Sequence, residues 1–207
     1  MHVVSVQSMA GGTGVTSVTA ELIADKSSAD EAILAIDFGA NQMLGRAILG
    51  RGFENLDDAS RILTGGWAEN WLKIGSLPRH CLLDLRAHYD RYDCCREQFA
   101  LEAANANSLE GLIDLLRGEL ELLGAHFDNC IVDLSQAPKE LRRLFIAVSD
   151  EVHFCERLTS QHQTWEAFRE EFLEGVKAKP GQAWIKHQDR SDWKPKVIED
   201  CPAMLLI

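Results

Sequence analysis

The sequence predicts an α/β fold: a mostly parallel sheet with helices on both faces, in three layers. Three observations carry that expectation. Continuous apolar runs too short for helices recur at 3–7, 32–37, 81–85 and 129–134, as expected of strands buried on both faces. Segments with helical spacing of apolar residues lie between them, which makes a parallel sheet with crossover helices the economical arrangement. Finally, the first run opens into a glycine-rich turn and two others end on Asp37 and Asp133. Open α/β sheets carry their functional groups at such strand ends.

The elements follow in order. Residues 3–7 form a strand, 8–17 a glycine turn, and the chain continues as a helix from Val18. After the strand ending at Asp37, residues 41–49 and 56–63 read as helices, the second with Asp57 and Asp58 near its start and Gly65 and Gly66 after its end. Residues 67–74 are a short amphipathic stretch. Pro78 precedes the strand 81–85, and the charged segment 86–98 is a loop or insertion. Leu109, Leu112, Ile113, Leu116, Leu120 and Leu123 make one apolar helix face, closed by Gly124. Beyond the strand 129–134, a helix starts at Pro138, a strand covers 151–155 and a helix covers 164–176. Residues 183–185 and 202–207 are candidate last strands. At 207 residues this is one domain, 1–207.

The turn carries the chemistry. Gly11, Gly12, Thr13, Gly14, Val15, Thr16 and Ser17 follow a strand and precede a helix, the context of a phosphate-binding P-loop. Glycines allow positive φ and close backbone approach. Successive N–H groups and the helix N-terminus then favour an anion. Thr16 stands where a P-loop hydroxyl meets Mg2+, and Asp133 where a strand-end carboxylate holds the metal or its water; Asp37 is a third candidate. The motif's lysine is missing, because residue 15 is valine. Without that cation the turn is either a nucleotide site of reduced power or a plain strand-to-helix connection.

Composition narrows the partners. The formal charge is −11, from 32 acidic and 21 basic residues, which argues against non-specific nucleic-acid binding and against simple attachment to anionic lipid. No run approaches the roughly twenty apolar residues of a membrane span, and the N-terminus lacks a signal peptide's pattern. Six cysteines without a C-x-x-C pair suit a reducing compartment, so a cytoplasmic protein is expected. Cys130 and Cys155 fall in apolar runs and are expected in the core. His88, Cys94 and Cys95 are a remote zinc candidate.

Residues 10–17 resemble the deviant Walker A of the MinD/ParA superfamily, and within it the chain is most similar to the BcsQ/YhjQ cellulose-biosynthesis branch, whose members already lack the motif lysine. Val6-Gln7 before the loop, residues 18–22 after it, residues 36–44, Gly65-Gly66-Trp67 and residues 127–134 carry the likeness. The resemblance implies a P-loop fold, ATP or ADP with Mg2+ held by residues 11–17, Asp37 and Asp133, and homodimerisation over nucleotide. It also implies protein partners at the inner membrane, namely subunits of a cellulose synthase complex.

The departures are specific. The superfamily's signature lysine corresponds to Ala10, the motif lysine to Val15, and a catalytic aspartate to Gly39. An adenine-reading asparagine is replaced near Lys186 and His187. Together these remove charges on which ATP hydrolysis and the closing of an ATP-sandwich dimer depend. No residue is therefore assigned as catalytic, and the resemblance points to a pseudo-ATPase that acts by binding partners, with or without a nucleotide. A slow Mg-ATPase of the same fold is one alternative. A CpaE/TadZ-like pilus assembly factor is another, disfavoured because no receiver-like stretch precedes the loop. The MinD-type basic C-terminal membrane helix is not seen, so no direct membrane insertion is expected. With the motif loop intact, Val15→Lys is expected to strengthen ATP binding.

Overall fold

A computed structural model describes residues 1–8, 11–38, 43–49, 79–84, 109–137, 139–156, 178–188 and 205–206. The strands are β1 (His2–Gln7), β2 (Ile33–Asp37), β3 (His80–Asp84), β4 (Asn129–Asp133), β5 (Glu151–Glu156), β6 (Ala183–Gln188) and β7 (Leu205–Leu206). They form one seven-stranded sheet in the order β6-β5-β1-β4-β2-β3-β7, and all six pairings are parallel. The described helices are α1 (Val15–Ser28), α2 (Met43–Leu49), α3 (Leu109–Leu123) and α4 (Lys139–Val148). This is the predicted α/β architecture.

Strand alternation divides the core in two. Val3, Leu34, Ile36, Cys81, Cys130 and Val132 face one side, where Leu112, Leu116 and Leu120 of α3 and Leu141, Leu144 and Phe145 of α4 cover them. Val4, Ile33, Ala35, Leu82 and Ile131 face the other, under Ala20 and Ile23 of α1 and Leu44 and Ile48 of α2. Because side chains alternate along a strand, Val6, Asp133 and Asp37 occupy positions on the α1 side, at the C-terminal edge. Cys81, Cys130 and Cys155 are buried. Burial raises the Cys81 and Cys130 thiols to about 12, so they behave as small apolar residues.

The expected elements shift at their ends. The helix begins at Val15 rather than Val18, because Gly14 in the left-handed region (φ 89°) is its N-cap. Consequently Val15, Thr16 and Ser17 form its first turn instead of the end of the loop. β3 covers His80–Asp84, one residue earlier than the apolar run suggests, and β6 runs on to Gln188. Of the last expected strand, Leu205–Leu206 are described, and they pair with β3. Gly124 closes α3 as expected, its N–H donating to the Leu120 carbonyl at 3.0 Å. The expected helices at 56–63 and 164–176, the stretch 67–74, the segment 86–98 and the zinc candidates His88, Cys94 and Cys95 lie outside the described residues.

Candidate functional site

The loop between β1 and α1 has the backbone of an anion cradle. Gly12 and Gly14 have φ of 71° and 89°, conformations open to glycine at no steric cost. A Cβ placed on Gly11 would meet nothing within 4 Å, so open space adjoins the loop. Gly11 and Gly12 are exposed, whereas Thr13 is buried at 3% and anchors the turn. The first helical bond runs from the Val18 N–H to the Gly14 carbonyl at 2.9 Å. The N–H groups of Val15, Thr16 and Ser17 precede it and have no acceptor within the helix, the arrangement with which a helix N-terminus can bind an anion.

Residue 15 contributes backbone only. The Val15 side chain is 4% exposed and packs with Val6, Val18, Cys155 and Leu22. The position that a P-loop fills with a phosphate-binding ammonium is here part of the apolar floor joining α1 to the sheet.

The acidic strand ends meet the loop from below. Asp133 pairs with Val6 of β1 and with Asp37 of β2, and Asp37 pairs with Asp84 of β3. Neighbouring parallel strands lie about 4.8 Å apart, so three aspartates occupy one row across the edge of the sheet. Asp37 and Asp133 are both fully buried. Asp37 Oδ2 accepts the Leu44 N–H at 3.2 Å, at the start of α2. The Asp133 Oδ1 accepts the Ser135 N–H at 2.9 Å, while its Oδ2 is buried with no hydrogen-bond partner.

Burial pushes the Asp133 carboxyl above the ordinary carboxylate range. The Ser135 hydroxyl and N–H, the Thr16 hydroxyl and the Arg142 charge pull against that rise. Thr16 and Asp133, foreseen as metal ligands, are thus brought together, with Asp37 adjacent in register. An orphaned buried carboxylate oxygen beside a hydroxyl is a fitting donor set for a hard divalent cation. Among the described residues no group of three or more His, Cys, Asp or Glu is placed to hold a metal ion.

Ser135, Arg142 and Asp84 are absent from the sequence-derived site. Asp84 carries the same signal as Asp37, an apolar run closing on aspartate. Arg142 gives none, since its importance depends on which carbonyls the fold brings to it. The late-strand position where the resemblance expects an adenine-reading asparagine falls on β6. There Lys186 ion-pairs with Glu156 and His187 hydrogen-bonds His153 at 2.8 Å.

The fold and this edge together define an α/β domain of P-loop type, with a glycine turn between its first strand and first helix. Solved structures that share the fold include a diamide synthase, McdA and a ParA family ATPase. The cobyrinic acid a,c-diamide synthase of Mycobacterium smegmatis, solved with a bound ATP analogue and magnesium, matches at TM-score 0.64 and 16% identity, over 91% of this chain and 74% of that one. The apo form of McdA from Cyanothece matches at 0.59 and 17%, over 91% and 71%. A ParA family ATPase from Chlorobium tepidum TLS matches at 0.56 and 16%, over 93% and 75%. At these identities the likeness establishes the fold, a ParA/MinD-like P-loop architecture. No family model and no curated protein matches the sequence.

Proposed function

We propose that this protein is a ParA/MinD-like assembly or localisation factor of the BcsQ branch, serving a bacterial cellulose synthase complex and binding nucleotide without efficient turnover. One observation carries the loss of turnover. Val15, at the lysine position, lies in an apolar cluster, so the loop offers amides and a helix N-terminus but no cation at that point. Phosphoryl transfer depends on charge stabilisation of the transferring and leaving oxygens.

In this reading Gly11 to Ser17 hold the phosphates of ATP or ADP through backbone amides. Thr16, Asp133 and Asp37 hold Mg2+, directly or through water, and the metal supplies the countercharge that residue 15 does not. The magnesium and ATP analogue in the similarly folded synthase support that assignment of the loop. No described helix is long and apolar enough to cross a membrane. We place the protein in the cytoplasm, peripheral to the inner membrane through its protein partners, and as a homodimer.

The test is affinity purification of the tagged full chain from its own host, followed by native mass spectrometry. Recovery of cellulose synthase subunits, with a dimer retaining ATP or ADP, supports the reading. Recovery of pilus assembly proteins instead would favour the CpaE/TadZ-like alternative. The closeness of Thr16 and Asp133 favours a second reading, a slow Mg-ATPase cycling between partners. Phosphate release that disappears in Asp133→Ala would establish it.

A further inference from the structure

Arg142 lies on α4, behind the sheet edge that carries the phosphate loop. Its guanidinium makes three bonds to main-chain carbonyls: Nε to Ala137 at 2.8 Å, Nη1 to Ser8 at 2.8 Å and Nη2 to Ser135 at 3.1 Å. Ser8 is the residue on which β1 enters the glycine loop. Ser135 and Ala137 belong to the turn that leaves β4, directly after Asp133. Ser8 and Ala137 are each 4% exposed, so their carbonyls need a partner from the protein. A planar guanidinium donates to these three carbonyls from three separate nitrogens; an ammonium, whose three donors radiate from one nitrogen, does not match that spread.

We infer that Arg142 is the positioning residue of this site: its guanidinium fastens the entrance of the phosphate loop to the turn after Asp133, fixing the distance between loop amides and metal-binding carboxylate. The strand pair β1–β4 aligns Val6 with Asp133, and the Leu134 N–H bonds the Val6 carbonyl just beyond them. Arg142 adds a side-chain link between the two segments further on, at Ser8 and Ser135.

This inference rests on the nucleotide reading for its consequence in binding, but not for its structural content. The experiment therefore has two arms on the full chain: wild type, R142K and R142M. In the first, amide hydrogen exchange is followed without nucleotide. Peptides covering residues 8–18 and 133–138 are expected to exchange about tenfold faster in both variants, with β2 and β3 unchanged. R142K should fail to rescue because it keeps the charge and loses the fork. In the second arm, Mg2+·ATP is titrated by calorimetry, and affinity is expected to fall about tenfold in R142K and further in R142M. Unchanged exchange in R142K, or faster exchange spread over the whole chain in both variants, would overturn the positioning role. Local acceleration in the variants, together with a wild type that binds no nucleotide, would leave Arg142's role standing and remove the nucleotide reading instead.

Discussion

Asp37 and Asp133 face each other in register on adjacent parallel strands, both fully buried, at the edge where the glycine loop begins. One has a helix N–H for its Oδ2 at 3.2 Å; the other has an Oδ2 with no partner. Two neighbouring buried carboxyls repel when both ionise, and burial already holds Asp133 above its ordinary range. The arrangement costs stability in the absence of a counter-charge.

Asp133→Asn is therefore expected to stabilise the metal-free protein at neutral pH. The folded-state pKa is raised, so the acid's favourable contribution is complete below its unfolded value of 3.8 and is lost as pH rises through the folded value. Removing the charge should recover about 1–3 kcal/mol, seen as a higher melting temperature in EDTA. Millimolar Mg2+ should raise the wild-type melting temperature and leave that of Asp133→Asn unmoved. An Asn variant less stable than wild type at neutral pH in EDTA contradicts this account.

Thr16→Ala should lower Mg2+·ATP affinity about tenfold, the cost of one hydrogen-bonded or metal-bound oxygen. Thr16 is on the first turn of α1 and only part-buried, and Thr19 rather than Thr16 bonds back to the Val15 carbonyl, at 2.9 Å. The melting temperature without nucleotide should fall modestly, because the Thr16 hydroxyl bonds the buried Asp133 carboxyl. Calorimetry showing equal affinity in the two proteins would remove Thr16 from the metal site.

Val15→Lys tests the loop in a different way. The sequence alone suggests a simple gain in ATP binding. The apolar packing of Val15 against Val6, Val18 and Cys155 predicts a loss first: the lysine stem must leave that cluster for its ammonium to reach a phosphate, at about 1–3 kcal/mol in nucleotide-free stability. The same ammonium, once out, adds a charge-assisted contact. The expected result is a lower melting temperature without ligand and a larger upward shift with Mg2+·ATP, both read by thermal melts.

Acidification should act through the histidines. Burial lowers the pKa of His153, outweighing the bond from Glu151, and burial with nearby Arg79 lowers that of His80. Each folded-state value lies under the unfolded 6.5, so their contribution is intact above that pH and is lost as pH falls toward the lowered values. Asp133 acts in the opposite sense, so the readout is a difference. Denaturant stability measured from about pH 7.5 to about pH 5 should fall more steeply in wild type than in His153→Gln. Identical slopes would show that His153 does not carry the effect.

Much of the fold was legible because burial on both faces writes a strand as an unbroken apolar run: residues 3–7, 32–37 and 129–134 each became a strand within a residue or so. The glycine loop and the two strand-end aspartates were legible for the same topological reason, since parallel strands bring their C-terminal ends to one edge. What escaped reading depends on three dimensions. The direction of the Val15 side chain follows from α1 starting just after Gly14, three residues before the apolar pattern takes hold. Arg142 acts through main-chain carbonyls, which have no sequence signature. The His153–His187 pair joins residues 34 apart whose meeting requires the β5–β6 register.

The central claim is that this loop and Asp133 form a nucleotide site that binds without efficient turnover. Its most direct test is one sample of the full-length protein with Mg2+·ATP, in which calorimetric binding and phosphate release are followed together. The account predicts saturable, EDTA-sensitive binding with no phosphate release above the rate in buffer. Absence of binding in Mg2+, or brisk release that vanishes in Asp133→Ala, would contradict it.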